Sequence, residues 1–407
     1  MTDPLAELSP AEREALREAE LPGNPKPMLA MLVAEPFSDP NWIFERKMDG
    51  ERVLAMVGEG EVRLFARNGK DVSASYPEVV EALSGGGEKA PMAVLDGEVV
   101  ASLDSGTPFV QLQERIRIND PEEARRSPVP VRYYLFDVLH LGGFDLKGLP
   151  LRIRKGLLRK AVLFHGPLRF LEHRTGEGEA LFREARREGW EGVVAKKVDS
   201  PYQVGRSRAW LKLKCAQRQD LILCGFTEPE GRRKGFGALL VGYWEKTQEK
   251  EKEGGGATAG RRELRYAGKV GSGFNEDTLR RLGRLLKARR RKTPPFSRKD
   301  AGDLPKTGVH WVTPSLVGRF GFSEWTATGK LRHPRFLGLR RDKDPEEVVK
   351  EEPLAGGPWE LVQGGGGEDA GSEPAGSGNG GGEAEVGSEA EGDGNGDAPP
   401  AREGSHA

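Results

Sequence analysis

Trp42-Ile43-Phe44-Glu45-Arg46-Lys47-Met48-Asp49-Gly50-Glu51-Arg52-Val53-Leu54 is the stretch on which the reading of the chain turns. An apolar run, Trp42 to Phe44, enters a charged turn with Asp49-Gly50 at its tip. A second run, Val53 to Val57, leaves it, which is the pattern of a β-hairpin. Lys47 then stands at the hairpin mouth with Glu45, Asp49 and Arg52 around it. Two readings are open from these residues alone: a nucleophilic amine, or an exposed network of ion pairs. A nucleophile must be unprotonated, and cationic neighbours would depress its pKa from about 10.4, while the nearby carboxylates push the other way. The sequence does not rank the two effects.

Working outward, 407 residues suffice for two or three domains, each with its own core. Charged residues make up 31%, and no apolar run approaches the length that spans a bilayer. The N-terminus has no basic region followed by an apolar core, so no export signal is expected. The expectation is a soluble, cytoplasmic protein with no membrane partner. Cys215 and Cys224 have no companions, which excludes a four-thiolate zinc site and a disulfide framework. The net charge of zero conceals a split. From Glu360 to the end, eleven acidic residues face one arginine, a net of −10 that leaves the first 359 residues at +10. A basic body suits a polyanionic partner.

Residues 1–27 read as an N-terminal arm, with a short helix over Ala11–Glu20 opened by Ser9-Pro10 and a proline-set linker after it. Residues 28–216 read as an α+β domain. Its β-rich runs are Val53–Val57, Val62–Ala66, Ala93–Ala101, Arg132–Leu139, Gly192–Lys197 and Trp210–Lys214, and its helical stretches include Tyr76–Leu83 and Glu179–Glu188. Residues 217–352 offer strands at Asp220–Phe226, Ala238–Glu245, Glu263–Val270, His310–Val312 and Val317–Thr326, with a helix at Glu276–Arg290. That inventory is compatible with a small closed barrel, with Lys246–Arg262 as a long hairpin loop. Residues 353–407 form a Gly- and Glu-rich acidic tail with too little apolar surface to fold.

Other stretches add chemistry. Leu95-Asp96-Gly97-Glu98-Val99-Val100 is by itself a turn, but beside the lysine stretch Glu98 becomes a candidate for ribose hydroxyls or a divalent ion. Arg67-Asn68-Gly69 is a second turn with a cation at its edge. In Tyr133-Tyr134-Leu135-Phe136-Asp137-Val138-Leu139, period two puts Tyr134, Phe136 and Val138 on one face, mostly as core, with one aromatic free to stack on a base. In Trp210-Leu211-Lys212-Leu213-Lys214, both lysines share a face with Trp210, and two such charges call for an anion between them, for which a phosphate is the natural guest. In Glu191-Gly192-Val193-Val194-Ala195-Lys196, strict alternation sets Glu191 and Lys196 on opposite faces. Glu191 is therefore taken as the metal-side carboxylate and Lys196 as the weaker candidate.

Taken in order, Glu45-x-Lys47-x-Asp49-Gly50-x-Arg52, Arg67-Asn68-Gly69, Asp96-Gly97-Glu98, Phe136-Asp137, Glu191-Gly192-x-x-x-Lys196 and Lys212-x-Lys214 resemble the motif series of covalent nucleotidyltransferases. Arg340-Arg341-Asp342-Lys343-Asp344-Pro345-Glu346-Glu347-Val348 is similar to that superfamily's last motif. Outside the motifs, Asp199-Ser200-Pro201-Tyr202, Gly235-Phe236-Gly237-Ala238-Leu239-Leu240 and Leu331-Arg332-His333-Pro334-Arg335-Phe336-Leu337-Gly338 are similar to the ATP-dependent ligase module of bacterial end-joining DNA ligases. The likeness runs from about Met28 to Lys350.

The resemblance implies a nucleotidyltransferase (adenylation) domain followed by an OB-fold barrel, hinged at Ala216 to Asp220. By position, Lys47 would accept AMP from ATP, Glu45 would meet the adenine amino group, Arg52 and Glu98 the ribose, and Phe136 would stack on the base. Arg67 would meet a phosphate, Lys212 and Lys214 the α-phosphate, and Glu191 with Glu98 a Mg2+ or Mn2+ ion. Arg340 and Lys343 would orient the departing pyrophosphate, and basic residues from Arg284 to Lys306 would contact DNA phosphates. The implied activity is ATP-dependent sealing of 5′-phosphate/3′-hydroxyl breaks in nicked or broken duplex DNA, in repair and end joining. A monomer working in the nucleoid with a Ku-type end-binding partner goes with it. An RNA ligase or a GTP-using capping-type nucleotidyltransferase is the alternative. The missing zinc-module cysteines favour ATP over NAD as donor, and the expectation is a stand-alone ligase core with no attached polymerase or phosphoesterase module. Arg341 stands where the related motif often carries an acidic residue.

Overall fold

A computed structural model describes residues 4–58, 60–85, 91–101, 108–229, 235–246 and 262–354. The acidic tail from residue 355 onward and most of the expected Lys246–Arg262 loop lie outside the described residues.

The long β-rich runs, most of them buried along much of their length, assemble into three sheets. The first has seven strands in the order Arg17–Glu18, Phe144–Asp145, Val131–Leu141, Ala93–Ala101, Glu51–Val57 and Val62–Ala66, with Leu168–Phe170 parallel to Val131–Leu141. The second orders five strands as His173–Thr175, Trp42–Arg46, Gly192–Lys197, Gly205–Lys214 and Met28–Leu32. One apolar cluster (Met28, Met48, Leu54, Val100, Phe136, Trp210) joins these two sheets face to face. A larger cluster backs the seven-stranded sheet, and another lies under helix Gly178–Arg187 on the five-stranded one.

The third sheet strings Arg262–Val270, Leu239–Lys246, Arg218–Thr227 and Val309–Gly321, with Arg290–Arg291 and Arg335–Leu339 both on the last of these. A bridge between Ser272 and Arg335 joins its two ends, so the ribbon curls into a barrel around Leu221, Phe236, Val241 and Phe320.

Several expectations change. The Trp42–Leu54 stretch is not a hairpin: Trp42–Arg46 pairs with Gly192–Lys197 in one sheet, whereas Glu51–Val57 pairs with Ala93–Ala101 and Val62–Ala66 in the other. Trp42, Ile43, Phe44 and Glu45 are all buried, the signature of a strand covered on both faces and paired on both edges. Residues Lys47 to Gly50 therefore cross between sheets. Gly50 is pressed so close to the next strand that a Cβ there would lie 2.0 Å from the Val99 carbonyl oxygen.

Period two also fails at Phe136. Gly97 pairs with Leu135 and Asp96 with Asp137, which makes Phe136 the extra residue of a β-bulge. The bulge sends Phe136 into the inter-sheet cluster and Val138 into the opposite core. The expected Ala11–Glu20 helix stops at Glu14 after a complete Ser9/Glu12 capping box, because Arg17–Glu18 pairs with Phe144–Asp145. His310–Val312 and Val317–Thr326 are one strand, Val309–Gly321. It accommodates Pro314 where its register against Arg218–Thr227 shifts, and it ends before Phe322. The helix expected to reach Arg290 ends at Lys287. Both cysteines are free thiols, and among the described residues no helix is long and apolar enough to cross a membrane.

Candidate active site

The two facing sheets, the Lys47–Gly50 crossing and the barrel enclose one cavity of about 180 Å³. All eleven residues singled out from the sequence line it: Glu45, Lys47, Arg52, Arg67, Glu98, Phe136, Glu191, Lys212, Lys214, Arg340 and Lys343. So does Lys196, which strict alternation had placed on the opposite face from Glu191. Gly192 resolves the conflict. Its φ of 155° and its approach to Leu213, where a Cβ would lie 1.9 Å from the carbonyl oxygen, break the alternation at the strand's first residue and turn Glu191 to the cavity side.

Lys47 Nζ donates to Glu191 Oε2 at 2.7 Å, and its backbone N–H is held by the Gly192 carbonyl at 2.9 Å. Burial would lower the ammonium's pKa, but the carboxylates of Glu191 and Glu98 outweigh it and hold the group above its ordinary value. In this state the carboxylates win and the amine is protonated. The acids are strained in their turn. Burial pushes Glu98 up to about 7 against the pull of Lys47 and Arg52, and burial together with Glu191 pushes Asp49 up to about 6 against Arg218. Glu98 Oε1 also accepts from the Gly50 backbone N–H at 3.2 Å, tying the crossing to the seven-stranded sheet.

Deeper in the cleft the charges are paired and nearly dry. Glu45, 1% exposed, lies 2.6 Å from both Lys155 and Lys196, and these two cations overcome burial and hold its carboxyl below the usual range. Burial pulls Lys196 down to about 8 despite Glu45. Arg52 makes a two-pronged fork on fully buried Asp96, at 2.5 and 2.6 Å, and Asp96 also accepts from the Tyr202 hydroxyl at 2.6 Å. The guanidinium of Arg52 and the ammonium of Lys196 both lie over the Phe136 ring, at 4.5 and 4.0 Å.

Lys212 and Lys214 do converge, and Trp210 shares their side while Leu211 and Leu213 enter the opposite core. The anion between them is Glu351, at 3.0 Å from Lys212 and 2.6 Å from Lys214. The segment carrying Glu351 is anchored at Gln219, whose side chain accepts from the Glu351 N–H, and at Leu32, which accepts from the Leu354 N–H. Burial, more than Glu351 and Lys214, sets the Lys212 ammonium, bringing it down to about 8.

From the barrel, Arg340 forks onto Asp342 at 2.8 and 2.6 Å and reaches Asp220 at 3.4 Å, where Lys343 and Arg319 also meet at 3.3 and 3.2 Å. Arg218 and Arg319 both clasp Asp49, and Arg67 pairs with Glu347 at 2.8 Å. These contacts hold the barrel down over the lysine.

Sequence reasoning missed four partners in this network: Lys155, Asp96, Asp220 and Glu351. Lys155 and Arg154 were legible in principle, since both interrupt the apolar stripe of helix Leu151–Ala161 yet lie on its buried side with Leu151, Leu157 and Leu158. Among the described residues no three His, Cys, Asp or Glu side chains converge to hold a metal unaided. The donor set still fits Mg2+, which takes one or two carboxylates and fills its shell from phosphates and water. Glu98 and Glu191 repel each other across the amine, and a divalent cation would relieve that repulsion.

A half-buried lysine facing a pair of lysines across a cleft, with a curled barrel folded over it, is the layout of a covalent nucleotidyltransferase. Residues 27–214 match the family model of the ATP dependent DNA ligase domain, and residues 232–343 that of the ATP dependent DNA ligase C terminal region. The chain belongs to the ATP-dependent DNA ligase family. It is similar to the multifunctional non-homologous end joining protein LigD of Pseudomonas aeruginosa, 35% identical over 355 residues that span 85% of this chain and 39% of that protein. The LigD of Mycolicibacterium smegmatis is 36% identical, over 76% of this chain and 37% of its own length. The chain thus spans well under half the length of these relatives. The DNA ligase of Ignicoccus hospitalis is 33% identical over 83% of this chain and 60% of that one. The solved structure of mycobacterial DNA ligase D complexed with ATP and MES matches with a TM-score of 0.54 at 34% identity, covering 80% of this chain and 98% of that chain.

Proposed function

We propose that this chain seals 5′-phosphate/3′-hydroxyl breaks in duplex DNA, with ATP as donor and an AMP carried on Lys47. The observation that supports this most directly is that Lys47 shares one cavity with Lys212, Lys214, Arg340 and Lys343, the cations that phosphoryl transfer requires. Lys47 gives up a proton to Glu191, 2.7 Å away, and its nitrogen attacks the α-phosphorus. The N–P bond forms as the bond to the pyrophosphate oxygen breaks. Lys212 and Lys214 hold the α-phosphate, and Arg340 and Lys343 neutralise the leaving pyrophosphate. The DNA 5′-phosphate then takes the AMP and frees the amine, and the 3′-hydroxyl displaces AMP to close the strand.

Phe136, with Glu45 at its edge, receives the adenine, and Arg52 and Glu98 face the ribose. Arg67 takes a phosphate. Glu191 and Glu98 would hold Mg2+ or Mn2+, which supplies charge neutralisation at the phosphates when bound. The cavity is smaller than the roughly 300–1,000 Å³ of typical ligand sites, so nucleotide entry requires the barrel to lift about residues 216–220.

Incubation with α-labelled ATP or GTP tests the first step. Label on the protein from ATP, lost in Lys47→Ala while DNA binding persists, is the expected result. Labelling by GTP alone, or a Lys47→Ala protein that still seals nicks, would overturn the proposal, as would sealing of nicked RNA in preference to DNA. The same reading places a monomer with a Ku-type end-binding partner in the bacterial nucleoid. Sedimentation and pull-down from extract check those two points.

A further inference from the structure

A second cleft lies on the far side of the last barrel strand, apart from the lysine cavity. It holds about 570 Å³ and is formed where helix Pro108–Arg115 and the turn after it meet helix Glu276–Lys287 and strand Arg335–Leu339. Arg117 contributes from one side, Arg281 and Arg284 from the second helix, and Arg341 from just beyond the strand. Among the described residues, Arg281, Arg284 and Arg341 make no ion pair with a carboxylate. Two acids also line the cleft, Glu114 and Asp277, and Asp277 is engaged by Arg280.

The buried wall points the same way. Gln113 is 7% exposed and packs so tightly on Gly338 that a Cβ at that glycine would touch its side chain at 3.0 Å. Gln113 lines the cleft, and its buried Nε2 donor has no hydrogen-bond partner. A buried amide donor is costly to leave unpaired, so an acceptor belongs there. The N-terminus of helix Glu276–Lys287, capped by Asn275, opens onto the same space and adds positive potential. Apart from the exposed carboxylate of Glu114, the unmatched groups in the cleft are donors or cations. Partial desolvation in the cleft, with the like charge of Arg281, also holds the Arg341 guanidinium below its ordinary pKa, as expected for a cation lacking its counter-ion.

We propose that this cleft is a second phosphate-binding site, distinct from the adenylation cavity, in which Arg281, Arg341 and Gln113 grip a phosphate group bridging the two halves of the molecule. Guanidinium forks suit phosphate oxygens, and the volume admits an oligophosphate. Because its walls come from both halves, an occupant binds only the closed arrangement and favours it over the open one. This gives Arg341 a role that the adenylation chemistry does not. The phosphate has two possible sources, a free oligophosphate such as released pyrophosphate, or the DNA backbone.

Calorimetric titration of the full chain with inorganic tripolyphosphate tests the site, together with nicked-duplex binding across a salt series. The variants are an Arg281→Gln/Arg341→Gln pair, whose side chains are exposed, and Gln113→Leu. Two equivalents bound by the wild type, falling to one in the arginine pair, with Gln113→Leu weakening the second equivalent about tenfold or more, identifies a free-anion site. One equivalent in both proteins, with weaker DNA binding and a shallower salt slope in the arginine pair, assigns the phosphate to the DNA backbone. One equivalent in both with unchanged DNA binding overturns the proposal.

Discussion

Glu351 sits between Lys212 and Lys214, where the proposed reaction puts the α-phosphate, so on that proposal ATP displaces it. Replacing it by glutamine keeps the shape and the Gln219 contact while removing the charge that holds Lys212 and Lys214. The carboxylate makes two charge-assisted bonds, at 3.0 and 2.6 Å, with a side chain only 19% exposed. Hydrogen bonds to charged groups are worth roughly 1.5–3 kcal/mol each, against about 1 for a neutral amide. Even if the neutral amide keeps both contacts, the competitor loses on the order of 1–4 kcal/mol, which is about 5- to 900-fold in apparent ATP affinity. The assay is equilibrium binding of ATP to Lys47→Ala with and without Glu351→Gln, so that no adenylate accumulates. Tighter binding in the double variant is expected, with the gain shrinking at high salt. Unchanged or weaker binding by a folded double variant would show that Glu351 does not compete with nucleotide.

Gly50→Ala forces a methyl against the Val99 carbonyl, which is backbone and cannot yield. The crossing must shift, and label transfer from ATP is expected to fall by about 100-fold or more with folding retained. Asp96→Asn unpairs Arg52 in a fully buried site and should cost about 3–5 kcal/mol in urea unfolding. Glu51 is pushed up to about 8, by burial first and then by Asp342. The stability tied to its protonated form is complete below about 4.5 and is lost as pH rises through about 8. Glu51→Gln should therefore raise the melting temperature at pH 8.5 and leave it nearly unchanged at pH 5. A gain of equal size at both pH values would contradict that assignment.

The strands Val62–Ala66, Ala93–Ala101 and Gly192–Lys197 were legible to the residue because each is a short run dominated by apolar and β-branched residues, and each is almost wholly buried. The residues that line the cavity could be picked out as a set because they follow one another in the order of the motif series the chain resembles. What escaped depended on long-range pairing. No local signal distinguishes a hairpin at Asp49-Gly50 from a crossing between sheets, since the partner strands begin at Gly192 and Ala93. The bulge at Phe136 and the turn of Glu191 about Gly192 are decided by neighbours across the sheet. Glu351 looked like one more acid in a charged segment, and only the folded-back chain brings it to the lysine pair.

The Lys47–Gly50 crossing has a further consequence for how this molecule can change. The amine's two carboxylate neighbours arrive from different sheets, Glu191 from one and Glu98 from the other, so inserting or deleting a single residue in the crossing would mis-set both spacings together. Surface loops elsewhere can lengthen at little thermodynamic cost. This span behaves instead as a gauge block between two plates, and descendants of the chain that keep adenylation are expected to keep its length even where they trade its residues.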